Sequence, residues 1–393
     1  MGIFDGVKVI DFTHAYAGPF ATLNLADFGA DVIKIERRDT GDVSRGWGPF
    51  KNDYSGYYSS FNRGKRSITL DFRSEEGQKV IFDLVKDADI VCSNFKAGTL
   101  DKYGIGYDKM KEIKPDIIYA AISGFGETGV LSSFAAYDNV VQAISGLMDV
   151  TGFQSGDPTK IGPAIGDSFT GLLLFMGIAT AYYHKLKTGK GQKIDVTMLG
   201  SLLMMLDNPI MASSVKEEKV TRIGNMNPHY SPCDIFKVKD GYVTIAVKNQ
   251  KMWDSFCSIV SDNEILSDKR FETNEERLKN SMVLKEIIDN LLQDKTKEEI
   301  EEKLTGAGIP CAPVMNIKEA FDNEQLIERD MIVELADPGT GSIKVVGNPI
   351  KLSRDLPVIS KPSPLLGHHT DEILKEIGYE KGKISELKEQ NII

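Results

Sequence analysis

Cysteine, histidine and long apolar runs are scarce in this chain of 393 residues. The four cysteines are scattered and lack Cys-x-x-Cys spacing, which indicates reduced cytoplasmic thiols rather than a disulfide framework or a zinc site. The five histidines, two of them adjacent at 368–369, form no metal-ligand pattern. We therefore predict no metal site and a cytoplasmic location.

An apolar run long enough for a membrane is also missing. The longest, 169–183, is shorter than the ~18–20 residues of a spanning helix, and it contains glycine and threonine. This pattern indicates a core helix, and the N-terminus has no signal-peptide architecture. No membrane association is predicted.

Positive charge is not in excess either. The formal net charge of -10 disfavours nucleic acid as a partner, since phosphate binding needs a basic face. With 41% hydrophobic and 26% charged residues, the composition is that of a soluble globular protein. A chain of this length exceeds the usual size of one core and predicts two domains.

Strand and helix patterns alternate over the first 125 residues. The clearest helix is Glu75–Asp87, with Ser74 as its expected N-cap. This alternation predicts an α/β fold built on a doubly wound parallel sheet. The expected strands are 7–11, 31–36, 67–71, 89–92 and 116–122.

A second region begins after about residue 219. Two short apolar runs, 236–238 and 242–247, are separated by a turn and predict a hairpin, and a proline-containing loop is expected at 309–313. The chain end reads as a return to the first domain. The predicted domains are a large one (1–200 and 330–393) and a small α/β one (220–325), joined by linkers at 201–219 and 326–329.

Polar and basic residues follow several of the expected strands. They are Thr13–Tyr16 after the first, Arg37 and Arg38 after the second, Arg73 after the third, and Lys96 after the fourth. Ligands of parallel sheets bind beyond the carboxyl ends of the strands. Cations recurring at that edge of an acidic protein favour a phosphorylated ligand, although a solvated charged face would explain each one singly.

Asp167 stands in a run of small residues, 162–168, just before the long apolar run. The pattern places its carboxylate in the first turn of a buried helix, where the helix dipole is expected to keep it ionised. Flanking glycine leaves room for a ligand. Such a carboxylate is a nucleophile that needs no base; it could equally be only an N-cap.

One glycine-rich motif, Gly124–Gly129, fits the spacing Gly-x-Gly-x-x-Gly. It follows the fifth expected strand rather than the first, and no helix begins cleanly inside it. A nicotinamide dehydrogenase is therefore disfavoured.

At several motifs the chain resembles the class III CoA-transferases, the CaiB/BaiF family, with formyl-CoA:oxalate CoA-transferase as the nearest pattern. The resemblance runs from end to end. The motifs that carry it are Asp11–His14, Ala17–Pro19, Leu25–Arg37, Gly41–Trp47, Asn62–Asp71 and Gly162–Gly171.

The resemblance implies a Rossmann-like large domain built from both chain ends, a smaller α/β domain and an interlocked homodimer. Acyl-CoA and small carboxylic acids would be the substrates, with no tightly bound cofactor. Asp167 matches the catalytic aspartate of the family. The positions that match CoA contacts are Tyr16, Ala17, Arg37, Leu70, Asp71, Phe72, Arg73, Asn94, Phe95, Lys96, Lys102, Ala135, Ala136, Tyr137 and Asp138.

The mechanism implied by this resemblance is covalent. Asp167 attacks the donor thioester to give an anhydride, and the CoA thiolate, held by Arg37, Arg73 and Lys96, then forms an aspartyl-CoA thioester. Backbone N–H groups near Asp167, at Gly166 for example, are candidate oxyanion donors. His14, Tyr16 and Tyr137 are expected to support the substrate; His14 and Tyr137 could equally be pocket walls.

The chain also departs from the formyl-CoA:oxalate pattern. Tyr16 replaces a glutamine, Lys102 an arginine and Ala135 a lysine, and the segment 227–233 lacks a glycine-rich tetrapeptide, so the acceptor acid stays open. Two alternatives remain within the fold: an acyl-CoA racemase, which carries histidine at the position of Tyr137, and a non-catalytic acyl-CoA binding protein.

Overall fold

The computed structural model describes residues 2–217, 219–260, 265 and 267–393. Two compact units make up the chain. The first comprises Met1–Leu147, Lys160–Asn208 and Glu324–Ile393, and the second Met148–Thr159 and Pro209–Asn323. The segment 148–159, which we expected in the large domain, thus belongs to the second unit. Most of the expected linker 201–219 is helical.

A parallel sheet of six described strands organises the first unit, which confirms the predicted fold class. The strand order is β5-β2-β1-β6-β7-β8, so the direction of winding reverses between β1 and β6. The strands are β1 (Lys8–Asp11), β2 (Asp31–Glu36), β5 (Arg66–Thr69), β6 (Ile90–Ser93), β7 (Ile118–Ser123) and β8 (Lys193–Thr197).

Apolar layers cover both faces of this sheet because successive residues of a strand point to opposite sides. Ile10 packs in one layer with Ile373 and Leu387 from the chain end, whereas Val9 packs in the other with Leu174. Two small antiparallel hairpins, β3 (Phe50–Lys51) with β4 (Tyr54–Ser55) and β12 (Ile332–Asp337) with β13 (Gly341–Val346), lie outside the parallel sheet.

The first unit also contains helices, two of which continue into the second unit. Ser74 accepts a hydrogen bond from the Gly77 N–H, as expected of an N-cap. The helices are α1 (Ala17–Asp27), α2 (Gly56–Asn62), α3 (Glu75–Asp87), α4 (Thr99–Lys102), α5 (Tyr107–Ile113), α6 (Asp138–Ile144), α7 (Leu147–Val150), α8 (Ile165–Thr188), α9 (Met198–Met205), α10 (Asp207–Lys216), α16 (Glu324–Glu328), α17 (Thr370–Glu376) and α18 (Lys381–Glu389).

Helix α8 is longer than the apolar run that predicted it. Its 24 residues make it long and apolar enough to cross a membrane by length and composition, a test that the core helices of soluble proteins also pass. The argument that the run is too short to span is therefore wrong. One face packs against the sheet through Leu174, Ile178 and Ala181, while Leu172 and Met176 are exposed.

The second unit contains an antiparallel sheet in the order β11-β10-β9. Its strands β9 (Cys233–Val238) and β10 (Gly241–Ala246) form the predicted hairpin, and β11 (Cys311–Pro313) occupies part of the segment expected to be a loop. Trp253 and Phe256 are fully buried in its core. The helices are α11 (Gln250–Val260), α12 (Asn274–Lys279), α13 (Ser281–Leu292), α14 (Lys297–Gly306) and α15 (Ile317–Phe321).

Candidate active site

The loops after β1 and β6 meet where the sheet reverses its winding. The His14 N–H donates to Asn94 Oδ1 at 2.9 Å, and Asn94 Nδ2 donates to the His14 carbonyl at 2.7 Å. The His14 ring also packs on Phe95, with ring centroids 4.9 Å apart. Because ligands of doubly wound sheets bind outside the strands at this reversal, the three predicted residues lie where a site is expected.

A cavity of about 550 Å³ opens beside this pair of loops. A volume of this size is typical of small-molecule sites. Its lining includes Trp47 and Asp42, which the sequence analysis did not select. The predicted residues that line it are His14, Arg37, Phe72, Phe95 and Tyr137.

Basic side chains at this edge differ in whether they are already paired. Arg73 forms an ion pair with Asp71, with Arg73 Nε 2.8 Å from Asp71 Oδ1. Arg37, Lys96 and Lys102 are exposed, and none of them forms an ion pair with the residues that the structure describes. These three cations are therefore available to an anionic ligand, whereas Arg73 is partly neutralised.

Asp167 lies in the first turn of α8, as predicted. Burial and then the Asp138 carboxylate raise the pKa of Asp167, the backbone N–H of Ala17 lowers it, and together they place it at about 7. The expectation that the helix dipole keeps this carboxylate fully ionised is therefore wrong near neutral pH, because loss of hydration outweighs the dipole. Its ionisation falls in the physiological range.

Asp138 caps α8 from outside the helix. Its Oδ1 accepts from the Gly166 N–H at 2.7 Å, and its Oδ2 accepts from Gln142 Nε2 at 2.6 Å. A Cβ at position 166 would lie 2.9 Å from Asp138 Oδ1, so only glycine allows this approach. Because the Gly166 N–H is already engaged, the expectation that it supports an oxyanion is wrong.

Two tyrosines stand near the Asp167 carboxylate. Burial raises the pKa of Tyr16, with a smaller contribution from Asp167 and a lowering by the Ser168 hydroxyl. Burial and then Asp167 raise the pKa of Tyr57 to about 12. The Tyr57 ring also contacts Trp47, which lines the cavity, with ring centroids 5.3 Å apart.

Sequence reasoning missed Tyr57. It lies in the short helix α2, whose spacing carries no signal of function, and only the folded chain brings it near Asp167. Trp47 had a weak signal, since it is one of two tryptophans in the chain and ends a motif of the resemblance.

His14 offers an unused polar atom. Its Nδ1 is buried and has no hydrogen-bond partner among the described residues. Burial lowers the pKa of His14, and the Asp42 carboxylate opposes this effect only in part, so the ring is neutral at neutral pH. A neutral, unpartnered nitrogen on a residue of the cavity lining favours a role in contacting substrate over that of a plain wall.

The remaining residues that were predicted to contact CoA differ in burial and position. Ala17 begins α1 and is buried, while Ala135 is exposed in the segment before α6. Leu70 is 1% exposed and packs in the core, and its N–H donates to the Glu36 carbonyl. The expectation that Leu70 contacts a ligand is therefore wrong for its side chain. Tyr137 is 75% exposed at the rim of the cavity.

Comparison with known proteins places this geometry in a family. The family model described as CoA-transferase family III matches residues 4–370. Succinyl-CoA:glutarate CoA-transferase of Homo sapiens is 37% identical over 395 residues, covering 99% of this chain and 89% of the human protein. Formyl-CoA:oxalate CoA-transferase of Rhodopseudomonas palustris is 35% identical over 414 residues, covering 99% of this chain and 97% of that protein.

A solved structure agrees with these sequence matches. A CaiB/BaiF family protein from Brucella suis superimposes with a TM-score of 0.88 at 35% identity, covering 96% of this chain and 99% of that one. The fold class and the family expected from the motifs are confirmed together. The chain belongs to the CoA-transferase family III and is a CoA-transferase.

Proposed function

We propose that this enzyme moves CoA from an acyl-CoA donor to a small dicarboxylic acid through covalent intermediates on Asp167. One observation carries the proposal. A half-buried carboxylate with a pKa raised to about 7 stands at the N-terminus of α8, and Tyr57, whose pKa it raises, packs on Trp47 of the cavity lining. Burial and a neighbouring charge of the same sign are typical perturbations at catalytic carboxylates.

The first half of the reaction transfers CoA to the enzyme. An Asp167 oxygen bonds to the thioester carbon of the donor, the carbon–sulfur bond breaks, and CoA leaves as thiolate. The product is an anhydride between Asp167 and the donor acyl group. The thiolate then attacks the aspartyl carbon, which releases the donor acid as a carboxylate and leaves an aspartyl-CoA thioester.

The second half retraces these steps with the acceptor. An acceptor carboxylate attacks the aspartyl thioester, thiolate leaves again, and a new anhydride forms. The thiolate attacks the acceptor acyl carbon, which frees Asp167 and completes the new CoA ester. No water or net proton is consumed in the transfer. Because water would hydrolyse the anhydride, the site must exclude water from it.

Candidate groups for stabilising the oxyanions lie on α1 and α2. The Ala17 N–H faces the Asp167 carboxylate, and the Tyr57 hydroxyl stands near the same group. Hydrogen-bond donors fixed at the point where negative charge develops are worth most in a site shielded from water. Arg37 and Lys96, unpaired at the rim, suit the phosphates of CoA.

A dicarboxylic acceptor is supported by the relatives and by the cavity. Their names give glutarate and oxalate as acceptors, and both acids carry a second carboxylate. In this chain His14 lines the cavity, and its ring, whose buried Nδ1 has no partner among the described residues, is the candidate group for that second carboxylate. A screen should compare glutarate with valerate and succinate with butyrate. Equal rates for acids with one and two carboxylates would contradict this assignment.

The covalent steps are tested by trapping the intermediate. Incubation with an acyl-CoA donor should leave Asp167 modified, as seen by peptide mass spectrometry, and hydroxylamine should release the adduct. Asp167→Ala should form no adduct while still binding CoA. Turnover without an adduct, accompanied by exchange of the α-hydrogen, would support a racemase instead.

We further propose that two copies of the chain associate as a homodimer. Helices α6, α8 and α9 of the first unit adjoin one another and leave apolar side chains exposed. These are Val140, Ile144, Leu172, Met176, Leu203 and Met204. An exposed apolar surface of this kind is typical of an interface.

Light scattering of the purified protein tests this association. The native chain should have twice the monomer mass, and Met176→Glu should lower the mass or prevent folding. Val346→Glu, an equally exposed apolar position on β13, serves as the control and should leave the mass unchanged. A native monomer at micromolar concentration would contradict the proposal.

A further inference from the structure

Two buried charges lie directly beneath the loop that joins β1 to α1. The Lys34 ammonium is 2.8 Å from Asp42 Oδ2, and neither side chain is exposed to solvent. Lys34 comes from the middle of β2, and Asp42 stands at the start of the 3-10 turn 43–46. A buried ion pair is weak evidence for stability by itself, which raises the question of what else it does.

Both members of the pair hold the backbone of the same loop. Lys34 Nζ donates to the Thr13 carbonyl at 2.7 Å, and Asp42 Oδ1 accepts from the Ala15 N–H at 3.1 Å. The loop between these two points contains His14, which lines the cavity, and ends at Tyr16 beside Asp167. The pair therefore grips the loop on each side of His14.

The conformation that the pair holds is an unfavourable one. Ala15 has φ of 65°, in the left-handed region that glycine adopts freely and alanine does not. A non-glycine residue keeps such a conformation only where its surroundings impose it, and this occurs most often at functional sites. The hydrogen bond from the Ala15 N–H to Asp42 holds this residue, beside the two bonds that tie the His14 backbone to Asn94.

Asp42 is itself fixed to the sheet. Glu36 Oε1 accepts from the Asp42 N–H at 2.9 Å and from Arg45 Nε at 2.8 Å, and Asp42 Oδ1 also accepts from the Ser44 N–H at 2.8 Å. Asp42 Oδ2 lies 2.8 Å from the Lys34 ammonium, and both charge and hydrogen bonding hold the two groups together. Burial raises the pKa of Asp42, but Lys34 outweighs it and holds the pKa far below its usual value.

We infer that Asp42 and Lys34 are positioning residues, whose buried pair fixes the loop 13–16 so that His14 and the Tyr16–Ala17 peptide face the substrate and Asp167. This inference rests on the proposed covalent function for its kinetic readout only. Neither residue contacts the reacting atoms. Displacing a catalytic group by about 1 Å can cost ~100-fold in rate, which sets the size of effect to expect.

Helix α1, which follows the loop 13–16, provides a matched control. Asp27 ends α1 and forms a second buried pair, with Arg63 Nη2 2.7 Å from Asp27 Oδ2. That pair is buried almost as deeply as Lys34–Asp42 but lies at the far end of α1 from Asp167. Asp27→Asn removes the charge from a buried ion pair without moving the loop 13–16, so it controls for the loss of such a pair alone.

The experiment measures loop opening and chemistry separately. Hydrogen exchange of a peptide covering 13–17 reports how firmly the clamp, meaning the Lys34–Asp42 pair, holds the loop 13–16. It needs no substrate. A single-turnover measurement with an acyl-CoA donor gives the rate of adduct formation on Asp167. In Asp42→Ala we expect exchange to speed up and adduct formation to fall about 100-fold, with CoA affinity changed only a few-fold.

One further variant keeps the test decisive if Asp42→Ala fails to fold, and a second tests the cause of its rate loss if it folds. Asp42→Asn keeps an acceptor for the Ala15 N–H but loses the charge, so its rate should lie between wild type and Asp42→Ala. Ala15→Gly added to Asp42→Ala should recover part of the rate, because glycine adopts the left-handed conformation unaided.

Three outcomes would overturn the inference. These are unchanged exchange in folded Asp42→Asn and Asp42→Ala, an equal loss of rate in Asp27→Asn, or no recovery with Ala15→Gly in Asp42→Ala. If the wild-type enzyme forms no adduct at all, the proposed function fails, and the exchange data still decide whether the clamp exists.

Discussion

The two edges of the parallel sheet differ in how far their charged side chains form ion pairs. At the amino edge, Arg66 pairs with Asp31 at 2.5 Å and with Glu376 at 2.8 Å. Lys185 likewise pairs with Asp89 at 2.9 Å, just before β6. Cations at this edge are neutralised by neighbouring carboxylates of the same unit.

At the carboxyl edge Arg73 is paired with Asp71, but other cations are not paired. Arg37 and Lys96 are exposed there without an ion pair to any residue in the described part of the chain. Asp167 is held half-buried near a second carboxylate, Asp138, which raises its pKa. The amino edge therefore serves stability, while the carboxyl edge keeps unpaired charge and a destabilised carboxylate, both of which a CoA ester and its reaction can use.

The same substitution at the two edges should have opposite consequences, and this is the largest expected effect. Asp167→Asn should abolish transfer, by about 10⁴-fold or more, since an amide cannot form the anhydride. It should also stabilise the fold. The pKa of Asp167 in the folded protein, about 7, lies above its value in the unfolded chain. The folded protein therefore loses stability as the pH rises from about 4 to 7 and this carboxyl ionises.

Urea unfolding at several pH values measures this gain. After a discount for partial exposure, we expect Asp167→Asn to add about 2 kcal/mol at pH 8 and close to nothing at pH 4. Asp31→Asn at the amino edge is the control and should destabilise, because it removes a partner of Arg66. A loss of stability in Asp167→Asn at pH 8 would refute the contrast.

Arginine substitutions at the two edges should separate binding from stability. Arg37→Ala should raise KM for the acyl-CoA about 10-fold to 100-fold and leave Tm unchanged, since it removes a charged contact to a phosphate. Arg66→Ala should lower stability by about 1–2 kcal/mol and leave KM unchanged. Steady-state kinetics and thermal unfolding check both, and the comparison fails if Arg37→Ala alters Tm more than KM.

Local patterns predicted the elements of the fold well. Strand β2 and helix α3 have the predicted bounds, because alternation and 3.6-residue periodicity are recorded in the sequence itself. Helix α8 continues beyond the apolar run to Thr188, which was not predicted, since the residues after Tyr183 are mostly polar. The strand β11 escaped prediction because its three residues contain proline and pair only through β10.

Residues of the candidate site could be predicted where a local sequence pattern marked them. Small residues preceding an apolar helix drew attention to Asp167, and the family resemblance gave it a catalytic role. Tyr57 and the Lys34–Asp42 pair were not, because their partners come from distant elements. Lys34 did carry a signal, since a lysine inside the apolar strand Asp31–Glu36 requires a buried partner. The ionisation of Asp167 was misjudged because burial depends on the tertiary fold.

The smallest expected effect concerns how the two carboxylates at the carboxyl edge interact. Burial contributes most to the raised pKa of Asp167, and Asp138 contributes next. Asp138→Asn removes that charge while its Oδ1 can still accept from the Gly166 N–H, so the pKa should fall by about 0.5–1 unit. The nucleophile would then be more fully ionised at pH 6, and the rate at pH 6 relative to pH 8 should rise about three-fold.

A pH profile of kcat/KM measures this shift. Its acid limb belongs to the coupled pair of carboxylates, so the movement of the limb is the quantity to compare between variants. Asp31→Asn, at the opposite edge, should leave the limb in place. A limb that stays fixed in Asp138→Asn would mean that burial alone sets the ionisation of Asp167, and the carboxyl edge would then differ from the amino edge in hydration rather than in unpaired charge.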